Sequence, residues 1–276
     1  MLDCMNSGMK KWAATAAIVL SVAVTLSACG DNEEPASGSG SASAEVGDAA
    51  DELTAETFMT AVSGAQAKAG SSHVDMTVDA AGQKITAKGD VVIGDDPADT
   101  AMTMTMDAGA AAGGLGSLEM RLVDGTFYMN LGPLTQDKFA KVDLDDPSNP
   151  LGAQYGQLVD QLDPSRQIEQ FDDALKSFDQ KGEPLEIDGV EATPYVLTLD
   201  TTKIPGTEDG ATAGMPETIE YTMYIGPDNL PRRISSDIAG SAFTLDYSKW
   251  GEDIKVEAPS DDEITDTDLM SQLAGA

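Results

Sequence analysis

The sequence predicts an α+β fold: one large, curved antiparallel sheet, with helices packed on its apolar, concave face. Three observations predict it. The segment Leu118–Leu131 reads as a hairpin with one wholly apolar face. Roughly ten short segments in all show strand-like apolar patterning between Gly, Pro and Asp turn signals. A few longer segments carry apolar residues at helical spacing. A one-sided sheet and amphipathic helices bury their apolar surfaces by packing together, and a sheet of this size tends to curl.

The chain opens with an export signal. Lys10 and Lys11 precede the apolar stretch Trp12–Leu26, and small residues follow at Ser27 and Ala28. This is the order of a secretory signal. The stretch is shorter than the ~20 residues a spanning helix needs. The tetrad Leu26-Ser27-Ala28-Cys29 resembles a lipobox. That resemblance implies diacylglycerol transfer to the Cys29 sulfur, a thiol nucleophile, and cleavage just before it. Met1–Gly8 contains Asp3 and makes a poor start for such a signal. Met9-Lys10-Lys11 makes a better one, so translation is expected to begin at Met9.

Charge narrows the partners. The chain holds 48 acidic against 16 basic residues, a formal charge of −32. Nucleic acid binding needs Lys and Arg for the phosphates, so it is not expected. Adsorption to anionic headgroups is disfavoured for the same reason. A net charge of this size keeps an exported protein soluble. Of the two cysteines, Cys4 leaves with the signal and Cys29 carries the lipid, so no disulfide forms within the mature chain and a hydrophobic core must hold it together.

Residues 1–28 are therefore the signal, and 29–52 a tether. The tether is rich in Ser, Gly, Asp and Glu and cannot offset its own ordering entropy. As a coil it reaches on the order of 25 Å. The folded domain spans 53–264, and an acidic tail, 265–276, frays from it, with fraying expected from Pro259 onward. Order begins with a helix. Thr54 is the N-cap, Leu53 and Phe58 have staple spacing, and Phe58, Val62 and Ala65 share a face ending before Gly70.

Strands follow at Ser72–Asp79, Lys84–Ile93 and Ala101–Met106. The last places Met102, Met104 and Met106 on one face. After the Gly/Ala-rich loop Ala108–Gly116 comes the hairpin. Asp124-Gly125 is a two-residue turn signal. It pairs Val123 with Thr126, Leu122 with Phe127, Met120 with Met129 and Leu118 with Leu131. One face then reads Leu118, Met120, Leu122, Phe127, Met129, Leu131, and the other is mostly polar. Two helices are expected next. Leu151–Leu162 carries Leu151, Tyr155, Leu158 and Leu162; Pro164–Phe178 aligns Ile168, Phe171, Leu175 and Phe178. The remaining strands are Pro184–Ile187, Ala192–Asp200, Thr218–Ile225, Leu230–Ala239, Ala242–Tyr247 and Ile254–Glu257.

The order of these pieces resembles a known family. Val123-Asp124-Gly125-Thr126-Phe127-Tyr128, Asp228-Asn229-Leu230-Pro231-Arg232-Arg233-Ile234 and Tyr247-Ser248-Lys249-Trp250-Gly251 carry the resemblance, with Ile254-Lys255-Val256-Glu257-Ala258-Pro259 closing it. They are similar to the actinobacterial LppX/LprA/LprF/LprG lipoproteins, whose fold is like that of the carriers LolA and LolB. The resemblance implies an open half-barrel whose concave side, under helices, holds the acyl chains of a lipid or glycolipid. It implies a non-enzymatic carrier on the extracytoplasmic face of the cell membrane, held by the Cys29 anchor, with an envelope transporter as a protein partner. It carries over no fixed set of ligand residues.

The residues themselves offer little chemistry. His73 is the only histidine, on a strand beside Asp75, and reads as a surface residue; no Gly-x-Ser-x-Gly elbow or phosphate loop accompanies it. The acidic clusters lack EF-hand spacing. No cofactor or metal is expected. Methionine stands out instead, with Met76, Met102, Met104, Met106, Met120, Met129 and Met223 on strands. Flexible, polarizable Met suits a surface that repacks around varied apolar ligands. The same residues would serve an ordinary core, and then the chain would be an anchored scaffold or signalling lipoprotein with no lipid ligand. The resemblance favours the lining of an acyl-chain cavity by Met102, Met104, Met106, Leu118, Met120, Leu122, Phe127, Met129, Leu131 and Met223. A long acyl chain leaving a membrane loses about 0.8 kcal/mol per CH₂, so the cavity must offset on the order of 10 kcal/mol.

Overall fold

The computed structural model of the chain describes residues 53–80, 82–94, 99–107, 109, 116–143, 170–203 and 216–265. The signal, the tether with Cys29, the expected helix Leu151–Leu162, most of the loop 108–116 and the tail beyond 265 lie outside the described residues.

Helix α1, Ala55–Ala69, forms where capping chemistry places it. Thr54 is extended, and its N–H donates to the Thr57 hydroxyl at 3.0 Å. Gly70 ends the helix in the left-handed region at φ 75°, and its N–H donates to the Gln66 carbonyl. Phe58, Val62 and Gln66 are the buried residues, one turn apart.

The strands are β1 Ser71–Ala80, β2 Gln83–Val92, β3 Ala101–Asp107, β4 Ser117–Val123, β5 Thr126–Asn130, β6 Phe139–Asp143, β7 Leu175–Gln180, β8 Leu185–Ile187, β9 Val190–Asp200, β10 Thr218–Ile225, β11 Pro231–Ile238, β12 Ser241–Ser248 and β13 Ile264–Thr265. They form one open sheet in the order β13-β6-β5-β4-β3-β2-β1-β12-β11-β10-β9-β7, with β8 also on β9. Every pair is antiparallel except β13 with β6. The hairpin register is as expected: Val123 faces Thr126, Leu122 faces Phe127, and Met120 faces Met129. Asp124 and Gly125 both take positive φ, 49° and 66°. That is the turn geometry that matches strand twist.

Three expectations need correcting. Residues 170–174 are helical, but the expected helix does not run on to Phe178, because Leu175–Gln180 is a strand. A bulge lies between Leu175 and Ser177 in its pairing with β9. An extra residue there turns Leu175 and Phe178, three apart, toward one face. The spacing therefore imitates a helical stripe. Ile254–Glu257 is not a strand; it runs without a ladder. Nor does the chain fray at Pro259. Ser260 caps a short 3₁₀ turn, Asp261–Glu263: its N–H and its hydroxyl both donate to the Glu263 carboxylate, at 3.0 and 2.7 Å, its carbonyl accepts from Glu263 N–H, and β13 follows.

The C-terminal segment thereby straps the sheet. Gly251 N–H donates to the Ser71 carbonyl, and the Ser71 hydroxyl donates to the Glu252 carbonyl at 2.6 Å. Farther on, Arg121 donates to the Glu257 carbonyl and Lys138 to the Asp262 carbonyl. The strap ends by pairing Ile264 with Phe139. It ties the middle of the sheet to one edge and covers a row of strand hydrogen-bonding groups that would otherwise be exposed.

Candidate functional site

The register assembles a continuous apolar surface on one face of the sheet. One row runs Val91–Met102–Leu122–Phe127–Val142 across five strands. The next runs Val74–Gly89–Met104–Met120–Met129–Ala140, and a third Met76–Ala87–Met106–Leu118. On the other side of β1 the face continues as Leu245–Ile234–Met223–Tyr195. No charged side chain stands in these rows. The opposite face carries the charge, in rows such as His73–Asp90–Thr103–Arg121–Tyr128–Lys141.

Gly89 is required in the second row. A Cβ there would lie 2.1 Å from the Thr103 carbonyl oxygen. The backbones of β2 and β3 approach too closely for any side chain, which is a use of Gly within a strand.

The apolar face has two halves. Over the first, α1 packs closely. The Phe58 ring meets Phe178 at 5.0 Å, edge to face, and Tyr195 at 5.6 Å. Met102, Met104 and Met223 belong to this buried cluster, with Met104 only 5% exposed. Burial raises the hydroxyl pKa of Tyr221, and that of the fully enclosed Tyr247 strongly, because a phenolate there would lose its water. The second half is the hairpin. Leu118, Met120, Leu122, Phe127, Met129 and Leu131 are each only half-buried, as is Met106 at its margin. The ten residues expected to line one surface do share one face where the register maps them: Met102, Met104 and Met223 lie in the buried cluster, Met106, Met120 and Leu122 pack against it while partly exposed, and Leu118, Phe127, Met129 and Leu131 are half-buried beyond it.

Several contributors went unread in the sequence. Ala140 and Val142 on β6 extend the face to its edge. The alternation Phe139-Ala140-Lys141-Val142 was the available signal, but it is only one short strand set among turn residues. Phe178 and Tyr195 stack at 5.4 Å beneath Phe58, a contact no local pattern encodes.

The outer face offers binding chemistry of another kind. His73 lies between Asp90 (Nδ1···Oδ1 2.8 Å) and Asp75 (Nε2···Oδ2 3.4 Å), on the side away from the apolar rows. Arg121 pairs with Glu119 at 2.8 Å and lies 4.7 Å over the Phe139 ring. The His73–Asp90 contact joins β1 to β2 and Arg121 reaches past β5 to Phe139 on β6, while the Asp75 and Glu119 contacts lie within their own strands. Among the described residues no cluster of three or more His, Cys, Asp or Glu is arranged to hold a metal ion, and no helix is long and apolar enough to cross a membrane.

Comparison with known proteins follows the fold rather than the sequence. No family model matches the chain, and no curated protein matches it by sequence. Solved structures do match. LprF from Mycobacterium bovis is 16% identical, with a TM-score of 0.51, over 75% of this chain and 97% of that one. The fold is similar to that of LprF. The lipoprotein LppX from Mycobacterium tuberculosis is 14% identical, with a TM-score of 0.49, over 74% of this chain and 98% of that one. At 16% identity the likeness to LprF is one of fold: a large open sheet with few helices.

Proposed function

We propose that this chain is a lipid-anchored, non-enzymatic carrier that holds the acyl chains of a lipid or glycolipid against the hairpin half of its apolar face. It would act at the extracytoplasmic side of the cell membrane, tethered through Cys29. One observation carries the reading: an uncharged face spans the sheet, and its hairpin side stays partly open while the side around Phe58, Met104 and Tyr195 is buried. A filled-core scaffold would need both halves closed. The lipobox and the likeness of fold to LprF support the same reading.

Energetics agree with it. Burying apolar area stabilises by roughly 25 cal/mol per Å². At that rate an acyl chain laid along Leu118, Met120, Leu122, Phe127 and Met129 must bury about 400 Å² of apolar surface to regain the ~10 kcal/mol lost on leaving a bilayer, and the flexible Met side chains can adapt to its shape. The test is direct. Residues 30–276 are purified without detergent, and organic extracts are analysed by mass spectrometry. A stoichiometric co-purifying lipid is the expected result. Protein that contains none, and also fails to take up a fluorescent fatty acid, overturns the proposal.

A further inference from the structure

The turn from β10 to β11 holds a charge that the carrier reading does not use. Arg232 is the one charged side chain buried among the described residues, at 8% exposed. Its Nη2 donates to Asp228 Oδ2 at 2.5 Å. Its Nε–H has no partner, and among the described residues it is the only buried side-chain nitrogen or oxygen left so. A buried donor without an acceptor is costly, most of all on a charged group. The backbone around it is closely bonded: Gly226 N–H donates to the Leu230 carbonyl at 2.9 Å, and Asn229 N–H to the Gly226 carbonyl at 3.0 Å.

The next residue shows what Arg232 lacks. Arg233 turns the same edge of its guanidinium, Nε and Nη2, to Asp246, and each nitrogen has its own carboxylate oxygen, at 2.5 and 3.0 Å. That is the two-point fit of a planar oxyanion. Arg232 has half of it. Asp228 does not supply the other half, because its second oxygen, Oδ1, accepts from Leu230 N–H at 3.2 Å. No side chain fills the space beside the fork, since residue 226 is a glycine. A Cβ there would lie 3.1 Å from Nε, 3.2 Å from Nη2 and 2.7 Å from Asp228 Oδ1. Asp228 is also the partner that can leave. Its side chain is 46% exposed against 9% for Arg232, so it can turn into water while the guanidinium stays in place.

We propose that the Nε–Nη2 edge of Arg232 is an oxyanion site, where a carboxylate or phosphate group takes the place of Asp228. Such a group supplies the acceptor that Nε lacks and keeps the one that Nη2 has. The formal charge of −32 works against loose anion binding, so an anion is held only where a guanidinium is arranged for it. The site is separate from the hairpin face: β12, β1, β2 and β3 lie between β11 and β4. An aromatic pair adjoins it. Trp250 donates its indole N–H to the Pro231 carbonyl at 2.9 Å and stacks on Tyr247 at 5.4 Å, and Tyr247 stands opposite Val74 of the apolar rows. A free ion and the headgroup of a lipid offer the same oxygens, and the presence of an attached chain separates them by experiment.

Residues 30–276 carry the whole described unit, Leu53 to Thr265, and Trp250 is their only tryptophan. Its emission therefore reports on the neighbourhood of Arg232. That protein is titrated at constant ionic strength with inorganic phosphate and acetate, then with octyl phosphate and octanoate. Trp250 emission is followed, and so is the melting temperature, which rises when a ligand binds the folded state. Saturable binding of phosphate or acetate is expected, and neither has a chain that the hairpin face could hold. Asp228→Asn, which replaces the competing carboxylate by a neutral amide, is expected to bind about fivefold or more tightly. Arg232→Lys, which keeps the charge and loses the fork, is expected to bind about fivefold or more weakly, with circular dichroism reporting that it is folded. A lower midpoint for octyl phosphate than for phosphate assigns the site to a lipid headgroup; equal midpoints assign it to a free ion. The site is overturned if neither small anion saturates the native or the Asp228→Asn protein. An Asp228→Asn protein that binds no more tightly than the native one, or a folded Arg232→Lys protein that binds equally well, overturns it too. None of these outcomes touches the carrier reading, which does not use Arg232.

Discussion

Truncating one methionine in each half of the apolar face separates a carrier from a filled core. Met104 and Met129 lie in the same cross-strand row, two strands apart, with Met120 between them. Met104→Ala and Met129→Ala delete the same atoms. At about 0.8 kcal/mol per methylene-sized group, the transfer cost is about 2 kcal/mol for a fully buried site. Met104 is 5% exposed within the packed cluster. Its truncation also leaves a sealed cavity, bringing the loss to about 3–4 kcal/mol. Met129 is half-buried. Its truncation loses about half the transfer term and encloses no cavity, so about 1 kcal/mol. For a domain of this size the difference corresponds to about 4–10 °C in melting temperature. Urea unfolding followed by circular dichroism measures both variants, and a fluorescent fatty acid titration measures binding. The expected pattern is a destabilised Met104→Ala protein, and a stable Met129→Ala protein that binds fatty acid about fivefold more weakly. A Met129→Ala loss as large as that of Met104→Ala would refute the reasoning, because the hairpin face would then be a sealed core.

Gly89→Ala forces a Cβ to within 2.1 Å of the Thr103 oxygen; separating β2 from β3 there breaks ladder hydrogen bonds and costs about 3 kcal/mol or more, readable as a lowered urea midpoint. Asp200 is held down to about 2 from an ordinary 3.8, first by the Thr202 hydroxyl and then by Lys176 and the Thr202 N–H. Because the folded value is depressed, this contribution is present above about pH 4 and is lost as pH falls toward about 2. Asp200→Asn is expected to flatten the acid limb of the stability–pH curve, and the Asp200 carboxyl shift in an NMR titration gives its pKa directly. Arg121→Ala removes the Glu119 pair, the hydrogen bond to the Glu257 carbonyl and the contact with Phe139. It should cost about 1–2 kcal/mol and make the strap 252–265 more susceptible to protease; a native digestion pattern would show that Arg121 does not hold it.

Some of this protein is local and so is written in the sequence. The Thr54 cap, the Gly70 stop, the Asp124-Gly125 turn and the hairpin register each depend on residues a few positions apart. Alternation with a period of two decides by itself which side chains share a face. The one-sided sheet, its apolar hairpin and the near-absence of charge from one face were therefore legible in order. What the pattern could not decide is what lies over that face. Phe58 meets Phe178 and Tyr195 across more than a hundred residues of chain, and Met104 is buried in the same cluster while Met129 is left partly open. A bulge made Leu175 and Phe178 look helical, since one extra residue changes which spacings share a face. The strap from Gly251 to Thr265 is held by carbonyls that accept from distant Arg and Lys side chains, and backbone acceptors leave no mark in a residue pattern. Apolar character is a property of each residue; burial depends on what the rest of the chain brings against it, and only the tertiary structure separates the filled half of the face from the open one.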